Sequence, residues 1–165
     1  MIFYETQRLT LRNVQPEDAA VMFDYRNDER CARFQRGQTK DLPGIRSLVE
    51  KRCGDRLGIE ANCLIAVALK DTDQMIGEIV VMPNEGAISL GYTFHYAYHR
   101  KGYAFEALSV LTEDLHSKYP EWEFISFTEP ENEASMALLH KLGYEDLGYI
   151  PKLTSQAFGK WIKQK

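Results

Sequence analysis

The chain has 165 residues, of which 44% are hydrophobic and 12% aromatic, so it is the size of one domain with a substantial core. Its formal charge of −4 argues against a nucleic-acid binder, which needs a basic face, and a mildly acidic surface better suits a cationic acceptor. No run approaches the ~20 apolar residues of a membrane span, and MIFYETQRLT lacks the features of a signal peptide, so we expect a cytoplasmic protein with no membrane partner.

The first third of the chain predicts one strand and two helices. The strand is expected around Leu9 to Arg12. A helix is expected to begin at Pro16, with carboxylates in its first turn, and to run to about Asn27. A second helix is expected over 43–53, where the apolar residues recur at the spacing of one buried face.

Three strand-like runs follow, CLIAVAL from Cys63, MIGEIVVM from Met75 and GAISLGYTFHY from Gly86. The links between them are short and rich in turn residues, which predicts an antiparallel meander. In the third run, large apolar residues alternate with small ones, which is the period of a strand. The small face, at Ala87, Ser89 and Gly91, leaves room either for a ligand or for close helix packing.

The last third predicts a helix from Tyr103, a strand EFISFT from Glu123, and a capped helix within PENEASMALLHKLGY that ends at Gly143. Two short strands are expected to close the sheet, around 144–150 and 157–162. Residues 1–165 are therefore predicted to form a single α+β domain, with a mixed and mostly antiparallel sheet flanked by about four helices.

The three cysteines, Cys31, Cys53 and Cys63, are odd in number and irregularly spaced. This spacing fits neither a zinc knuckle nor a disulfide framework. We expect reduced thiols, mostly buried. His95 and His99 share one side of a strand, but no third ligand accompanies them, so no metal site is predicted.

The stretch HRKGYAFEAL, from His99, places two cations and a glycine directly before the predicted helix. The first four N–H groups of a helix need partners, and residues 98–104 offer no Ser, Thr, Asp or Asn to cap them. Free amides, the helix dipole, Arg100 and Lys101 fit a phosphate, which can approach closely over Gly102. A surface helix capped by water fits the same residues. The common nucleotide loops G-x-x-x-x-G-K-S/T and G-x-G-x-x-G are absent.

The segment HRKGYA, residues 99–104, resembles the coenzyme A pyrophosphate loop of the GCN5-related N-acetyltransferases, with the pattern Q/R-x-x-G-x-G/A between a strand and a helix. Four further stretches are similar to the branch that contains the ribosomal-protein N-terminal acetyltransferases. They are ETQRLTLRNVQPEDA, MIGEIVV, GYAFEAL and PENEASMALLHKLGYEDLGY, in the family's order and over nearly the whole chain.

The resemblance implies transfer of an acetyl group from acetyl-CoA, as co-substrate, to a primary amine such as a protein N-terminus, a polyamine or an antibiotic. It implies that backbone amides of the loop hold the pyrophosphate, and that the end of the preceding strand pairs with pantetheine and directs an amide at the thioester oxygen. The loop residues are Arg100, Lys101, Gly102, Tyr103, Ala104 and Phe105, and the strand residues are Tyr92, Thr93 and Phe94.

Asn132 stands where the family has an asparagine that contacts the pantetheine arm, and Ser135 follows where this branch has a serine. By the resemblance, Asn132 contacts the cofactor and Ser135 lies near the sulfur. From the residues alone, Asn132 is equally a helix cap and Ser135 a polar residue of the first turn.

Two positions depart from the family. Leu139 replaces the tyrosine that many relatives use to protonate the leaving thiolate, and Phe127 replaces a glutamate that others use as base. Ser135 is then the candidate for a hydrogen bond to the sulfur, while a bound water carries the amine proton or Glu78 or His95 acts as base. Glu78, in the apolar run IGEIVV, is either a desolvated base or a carboxylate that points to solvent.

Because both conventional catalytic positions are apolar, a non-catalytic module that binds or senses acyl-CoA is the alternative function. The acceptor is expected to contact the two early helices and the segment FQRGQTKD, residues 34–41, which carries no readable chemical pattern. Glu129, Glu131 and Glu133 either attract a cation or form a solvated helix start. The protein is expected to be a monomer or a homodimer.

Overall fold

The computed structural model describes residues 1–163, so the last two residues of the predicted domain, 164 and 165, lie outside the described residues. Within that range the chain forms eight strands and five helices. The strands are β1 Ile2–Glu5, β2 Leu9–Asn13, β3 Cys63–Leu69, β4 Met75–Asn84, β5 Ala87–Phe94, β6 Glu123–Thr128, β7 Glu145–Ile150 and β8 Ser155–Lys160. The helices are α1 Ala19–Arg26, α2 Glu29–Ala32, α3 Leu42–Arg52, α4 Tyr103–Lys118 and α5 Glu133–Lys141.

The eight strands form one sheet in the order β1-β2-β3-β4-β5-β6-β8-β7. All neighbours are antiparallel except β5 and β6, which run parallel. The prediction of a mixed, mostly antiparallel sheet in one α+β domain is confirmed, as is the meander of β3, β4 and β5.

The parallel contact between β5 and β6 is short. Only Ala87 and Ile88 of β5 are in register with Glu123 and Phe124 of β6. Beyond these pairs the two strands diverge, whereas β5 stays paired with β4 along its whole length, from Ala87 to Phe94. The far half of β5 therefore has an unpaired edge that faces a wedge in the sheet.

Each face of the sheet carries its own core. On one face Ile88, Leu90 and Phe94 of β5 pack with Leu108 and Leu111 of α4. On the other face α1 and α3 cover β3 and β4, through buried residues that include Met22, Tyr25, Ile45, Leu64 and Ala66. The predicted alternation of large and small residues along β5 follows from this division.

The predicted elements are present, with shifts at their ends and two additions. The turn Pro16–Asp18 is a 3-10 helix that leads into α1, because Arg12 holds the buried Asp18 carboxylate by two hydrogen bonds of 2.8 and 3.1 Å. Strand β1 and the one-turn helix α2 were not predicted. No helix within residues 1–163 is both long and apolar enough to cross a membrane.

Candidate active site

A cavity of about 250 Å³ opens in the wedge between β5 and β6, and we call it the wedge cavity. Strand β5, strand β6, the first turns of α5 and the loop before α3 form its walls. Its lining residues are Phe34, Gln35, Arg36, Leu90, Gly91, Tyr92, Ser126, Phe127, Thr128, Glu129, Asn132, Ser135, Leu139 and Ser155. Three residues predicted for the site, Tyr92, Asn132 and Ser135, thus meet in one place.

The side chain of Tyr92 reaches across the wedge to α5. Its hydroxyl lies 2.7 Å from Ser135 Oγ. Burial raises the pKa of Tyr92 above its ordinary value, and the hydrogen bond with Ser135 opposes this to a smaller extent. The phenol therefore remains protonated at neutral pH. Sequence reasoning considered only the backbone of Tyr92 and missed this side-chain contact.

Asn132 caps α5. Its side-chain oxygen accepts a hydrogen bond of 3.2 Å from the backbone N–H of Ser135, as expected for a preferred N-cap residue. The asparagine also lines the wedge cavity, where its side-chain NH₂ group is not used by the cap. The capping interpretation is confirmed, and the cap leaves a donor for a ligand.

The two positions that depart from the family both line the wedge cavity, with different surroundings. Leu139 is 2% exposed and belongs to the core beneath α5, whereas Phe127 is 47% exposed. Neither offers an ionisable group to the cavity. The hydroxyl groups of Ser135 and Tyr92 lie in this cavity instead.

Side chains occupy part of the open edge of β5. The Gln35 side-chain amide donates to the Tyr92 carbonyl at 3.0 Å. The Phe94 carbonyl accepts from His99 Nε2 at 2.6 Å and from Cys31 Sγ at 3.2 Å. These carbonyls are thus bonded to the loops around the wedge and not to a neighbouring strand.

The loop before α4 has the conformation expected for an open helix N-terminus. Gly102 is the N-cap residue, with φ of 82°, and no side chain caps the helix. Arg100 also has a positive φ, 61°. Arg100 and Lys101 are exposed, and neither pairs with a carboxylate in the part of the chain that the structure describes.

Arg8, from the turn between β1 and β2, supports this loop from behind. Its guanidinium donates to the Lys101 carbonyl at 3.0 Å and to Glu106 Oε1 at 2.7 Å, and it stacks over Tyr103 at 4.2 Å from the ring centroid. Burial raises the pKa of Glu106, but hydrogen bonds from Thr6 and Arg8 outweigh it and lower the pKa below its ordinary value. Glu106 thus has a structural role, because it holds Arg8 and Thr6 of the turn against the first turn of α4.

The loop residues 100–105 lie outside the wedge cavity but close to one of the elements that form it. Lys141 of α5 places its Nζ 4.4 Å from the ring centroid of Phe105, in the first turn of α4. The N-terminus of α4 and the helix α5 are therefore neighbours on the same face of the sheet.

A second cavity, of about 380 Å³, lies on the α1–α3 face, and we call it the basic cavity. Tyr92, Gly91, Gln35 and Arg36 line both cavities. The other residues of its lining are Arg26, Gly37, Gln38, Thr39, Leu48, Lys51, Arg52, Leu64, Glu78, Val80, Met82 and Thr93. Of the small face of β5, Gly91 borders this cavity, whereas Ala87 and Ser89 line neither cavity.

Glu78 stands at the floor of the basic cavity and is 2% exposed. Its Oε1 accepts from Tyr25 and from Arg26 Nε, each at 2.8 Å, and its Oε2 accepts from Arg26 at 2.7 Å. Burial lowers the pKa of Arg26, but the bonds to Glu78 raise it above its ordinary value. The alternative of a solvent-facing Glu78 is wrong, because Arg26 and Tyr25 draw the carboxylate into the core.

The two histidines near the loop are used locally. His95 Nε2 lies 2.9 Å from Asp24, and its Nδ1 accepts from the Ala97 N–H. His95 lines neither cavity. Within residues 1–163, no three His, Cys, Asp or Glu side chains come close enough to hold a metal ion.

The segment 34–41 forms the wall between the two cavities. Gln35 bonds to the backbone of β5, and Gln38 Nε2 donates to Thr93 Oγ1 at 3.1 Å. Arg36 is fixed by Glu129, at 2.9 Å, which also accounts for one of the three clustered glutamates. No sequence pattern marks these contacts, because each of them joins residues more than 50 positions apart.

Residues 8–145 match the model of the Acetyltransferase (GNAT) domain family. The uncharacterized N-acetyltransferase YnaD of Bacillus subtilis (strain 168) is 25% identical over 158 residues, which are 94% of this chain and 90% of that protein. Among solved structures, a GNAT-family acetyltransferase from Bacillus anthracis has a TM-score of 0.80 at 22% identity, and the match covers 96% of each chain. An acetyltransferase from Salmonella typhimurium that modifies the N-terminal serine of 50S ribosomal subunit protein L7/L12 has a TM-score of 0.78 at 14% identity, covering 99% of this chain and 100% of that one.

Proposed function

Because the chain belongs to the GNAT acetyltransferase family, as an acetyl-CoA-dependent acyltransferase, we propose that it acetylates a primary amine with the thioester held in the wedge cavity. The observation that carries this proposal is the unpaired edge of β5 beside Ser135 and Asn132. The edge of the strand can bind an extended amide chain. The side chains beside it can bind the sulfur that leaves.

The loop before α4 fits the pyrophosphate of coenzyme A. Its uncapped amides, at the positive end of a sixteen-residue helix, favour an anion. Gly102 has a positive φ, which a residue with a side chain would adopt only with strain. Arg100 and Lys101 add two positive charges without carboxylate partners. We assign the pyrophosphate to residues Arg100, Lys101, Gly102, Tyr103, Ala104 and Phe105.

The end of β5 fits the pantetheine arm. Tyr92, Thr93 and Phe94 carry the edge that β6 leaves unpaired, and Asn132 faces the same cavity with a free donor. An amide from this strand, directed at the thioester oxygen, stabilises charge that develops only in the transition state. One such donor is worth about 3 kcal/mol.

In the transfer, the amine nitrogen attacks the thioester carbonyl, the C–N bond forms, and the C–S bond breaks with its electron pair on sulfur. We assign to Ser135 a hydrogen bond to that sulfur. A water molecule takes the proton that the nitrogen loses. Glu78 is the second candidate base, because it lines the basic cavity, but its ion pair with Arg26 favours a structural role.

The acceptor enters, in this proposal, from the basic cavity, which meets the wedge at Tyr92. A protein N-terminus is the first acceptor to test, because the similar Salmonella typhimurium enzyme modifies an N-terminal serine. Polyamines and aminated antibiotics are the other classes. The alternative, a module that binds acyl-CoA without transfer, is favoured by one observation, the apolar Leu139 and Phe127 in the cavity wall.

The experiment that separates the two follows thiol release from acetyl-CoA across a panel of short peptides, polyamines and aminoglycosides, with CoA affinity measured in parallel. Turnover on any amine supports the transferase, CoA binding without turnover supports the sensing module, and failure to bind CoA contradicts both.

The loop assignment has its own variant. Lys101→Glu is expected to weaken CoA binding at least ten-fold, because it places a negative charge beside the phosphates, while Lys118→Glu, at the other end of α4, leaves it unchanged. An unchanged CoA affinity in Lys101→Glu would overturn the assignment.

A further inference from the structure

The hydroxyl groups of Tyr92 and Ser135 form an isolated pair in the wedge cavity. They lie 2.7 Å apart, and the hydrogen bonds of residues 1–163 give neither hydroxyl a second partner. Tyr92 comes from β5 and Ser135 from the first turn of α5, so the bond spans the wedge. Leu90 and Leu139 are apolar neighbours in the lining of this cavity, which the hydroxyl groups of Ser126, Thr128 and Ser155 also line.

The direction of this hydrogen bond has a chemical consequence. Each hydroxyl carries a single proton. If Ser135 donated to Tyr92, the tyrosine proton would be left without a partner beside the core, which costs free energy. If Tyr92 donates to Ser135, the serine proton is free to point into the cavity.

We propose that Tyr92 is a positioning residue for acetyl transfer, donating its hydroxyl proton to Ser135 and thereby directing the Ser135 O–H at the sulfur of the thioester. This inference rests on the proposed function, in which the thioester lies in the wedge cavity. When the C–S bond breaks, the electron pair on sulfur accepts the Ser135 hydrogen bond. Neither hydroxyl loses its proton. The nitrogen gives its proton to water, and the sulfur later takes one from water.

This arrangement accounts for the leucine at position 139. A tyrosine from that position of α5 is absent, but a phenol reaches the same cavity from the opposite wall, on β5. It acts through Ser135 and not on the sulfur directly. The apolar Leu139 then shields the hydroxyl pair from water, which strengthens hydrogen bonds at the site.

The first test measures binding and does not depend on turnover. The affinities for CoA and for desulfo-CoA, which lacks only the thiol, are compared at pH 7 and pH 9, since a free thiol ionises near pH 8.5. In the wild-type protein, the ratio of the affinity for CoA to the affinity for desulfo-CoA should rise about five-fold from pH 7 to pH 9, because the thiolate accepts a charge-assisted hydrogen bond from Ser135. In Tyr92→Phe this rise should fall below two-fold.

Other groups near the cavity do not produce this signal. Arg36 and Glu129, which line it, form an ion pair with each other. Burial raises the pKa of Tyr144, in the adjacent core, so that phenol stays protonated. Any remaining effect on the rest of the ligand cancels in the comparison with desulfo-CoA.

The matched control is Tyr4→Phe, which removes another tyrosine hydroxyl packed against the same core, one that donates to Asp114 and lies outside the wedge cavity. It should keep the wild-type rise. Ser135→Ala should lose the rise as Tyr92→Phe does, and the double variant should lose no more than Ser135→Ala alone, because the two residues act as one unit.

A second readout uses any amine that supports turnover. Tyr92→Phe should lower kcat about ten-fold and leave the KM for acetyl-CoA within two-fold, because the hydrogen bond is used when the sulfur gains charge.

Three results would overturn the inference. The first is a double variant in which the losses of the two single variants add. The second is a Tyr92→Phe protein whose preference for CoA over desulfo-CoA rises with pH as in the wild type, and the third is a Tyr92→Phe protein that loses the same affinity for both ligands. A wild-type protein that binds CoA but acetylates no amine contradicts the proposed function alone, and the binding ratio still decides the role of Tyr92. A wild-type protein that binds no CoA contradicts both.

Discussion

The carboxylate of Glu78 is held by protein donors at both of its oxygens. Arg26 donates to both oxygens, and Tyr25 donates to one of them, all at 2.7–2.8 Å inside the core. A buried carboxylate held in this way is stable only as long as its partners remain, since an unpaired charge in the core is costly. We therefore assign Glu78 to the stability of the α1–β4 contact.

Glu78→Gln should lower the free energy of unfolding by about 3 kcal/mol, because it leaves the Arg26 charge buried without its counter-ion. Urea denaturation followed by circular dichroism measures this loss. In the folded fraction, kcat should fall less than ten-fold, whereas removal of a general base typically costs ~10²–10⁴.

The paired replacement of Arg26 by Met and Glu78 by Leu is the control. It removes both charges together, so it should cost less stability than Glu78→Gln. A Glu78→Gln protein that keeps wild-type stability but loses kcat at least a hundred-fold would show that Glu78 is the base.

The sequence marked Glu78 as unusual but could not identify its partners. A carboxylate inside IGEIVV is conspicuous by composition alone. Its partners Tyr25 and Arg26 are more than 50 positions away on a helix, and only the packing of α1 on the sheet brings them together. The same holds for Ser135. The sequence marked it as a candidate site residue but did not predict its hydrogen bond to Tyr92, which joins two distant parts of the chain.

At the level of elements, the turn between β1 and β2 and the N-terminus of α4 form one unit. Thr6 and Arg8 from the turn both bind Glu106, and Arg8 also bonds the Lys101 carbonyl. The backbone N–H of Arg8 donates to Glu106 as well, at 3.0 Å. The turn thus holds the anion loop in place.

Arg8→Met should weaken CoA binding about five-fold, equivalent to about 1 kcal/mol, because the loop loses the hydrogen bond that fixes the Lys101 carbonyl. Isothermal titration calorimetry with CoA measures the change.

Arg30→Met is the matched control, since Arg30 also pairs with a carboxylate and stacks on a tyrosine but has no hydrogen bond to the loop. Equal losses in the two variants would contradict the role of Arg8.

Most elements were predictable because their patterns are local. The strands β3 to β5 follow apolar runs between turn residues, and α4 follows an apolar stripe. Strand β1 was missed because its four residues, Ile2–Glu5, carry too short a pattern, and α2 because a single turn has no period. The wedge was outside the reach of local patterns, since it depends on where β5 and β6 stop pairing.

On the scale of the whole molecule, two cavities meet across β5. The wedge cavity opens on the α5 side and the basic cavity on the α1–α3 side, and Gly91 and Tyr92 border both. A thioester in one and an amine in the other would meet at the end of β5. The segment 34–41, which had no readable pattern, is the wall that separates them.

The charge of the basic cavity differs from that of the chain. The net charge of −4 favoured a cationic acceptor, yet this cavity is lined by four cations and one carboxylate. The cations are Arg26, Arg36, Lys51 and Arg52, and the carboxylate is Glu78. Three of the cations have carboxylate partners, while Lys51 has none within residues 1–163.

This lining predicts that polyamines are poor acceptors and that a peptide with acidic residues after its N-terminus is acetylated better than one with lysines there. The expected ratio of kcat/KM is about three, because Lys51, the cation of this lining without a carboxylate partner within residues 1–163, adds one screened contact worth about 0.6 kcal/mol. Lys51→Glu should reduce the ratio roughly three-fold. Arg46→Glu, an exposed charge reversal on the same helix outside both cavities, should leave it unchanged. Both ratios are measured from initial rates of thiol release at low ionic strength. Raising the salt concentration should make the kcat/KM values of the acidic and basic peptides more similar. A preference for the lysine peptide that survives in Lys51→Glu would mean that the acceptor does not pass through the basic cavity.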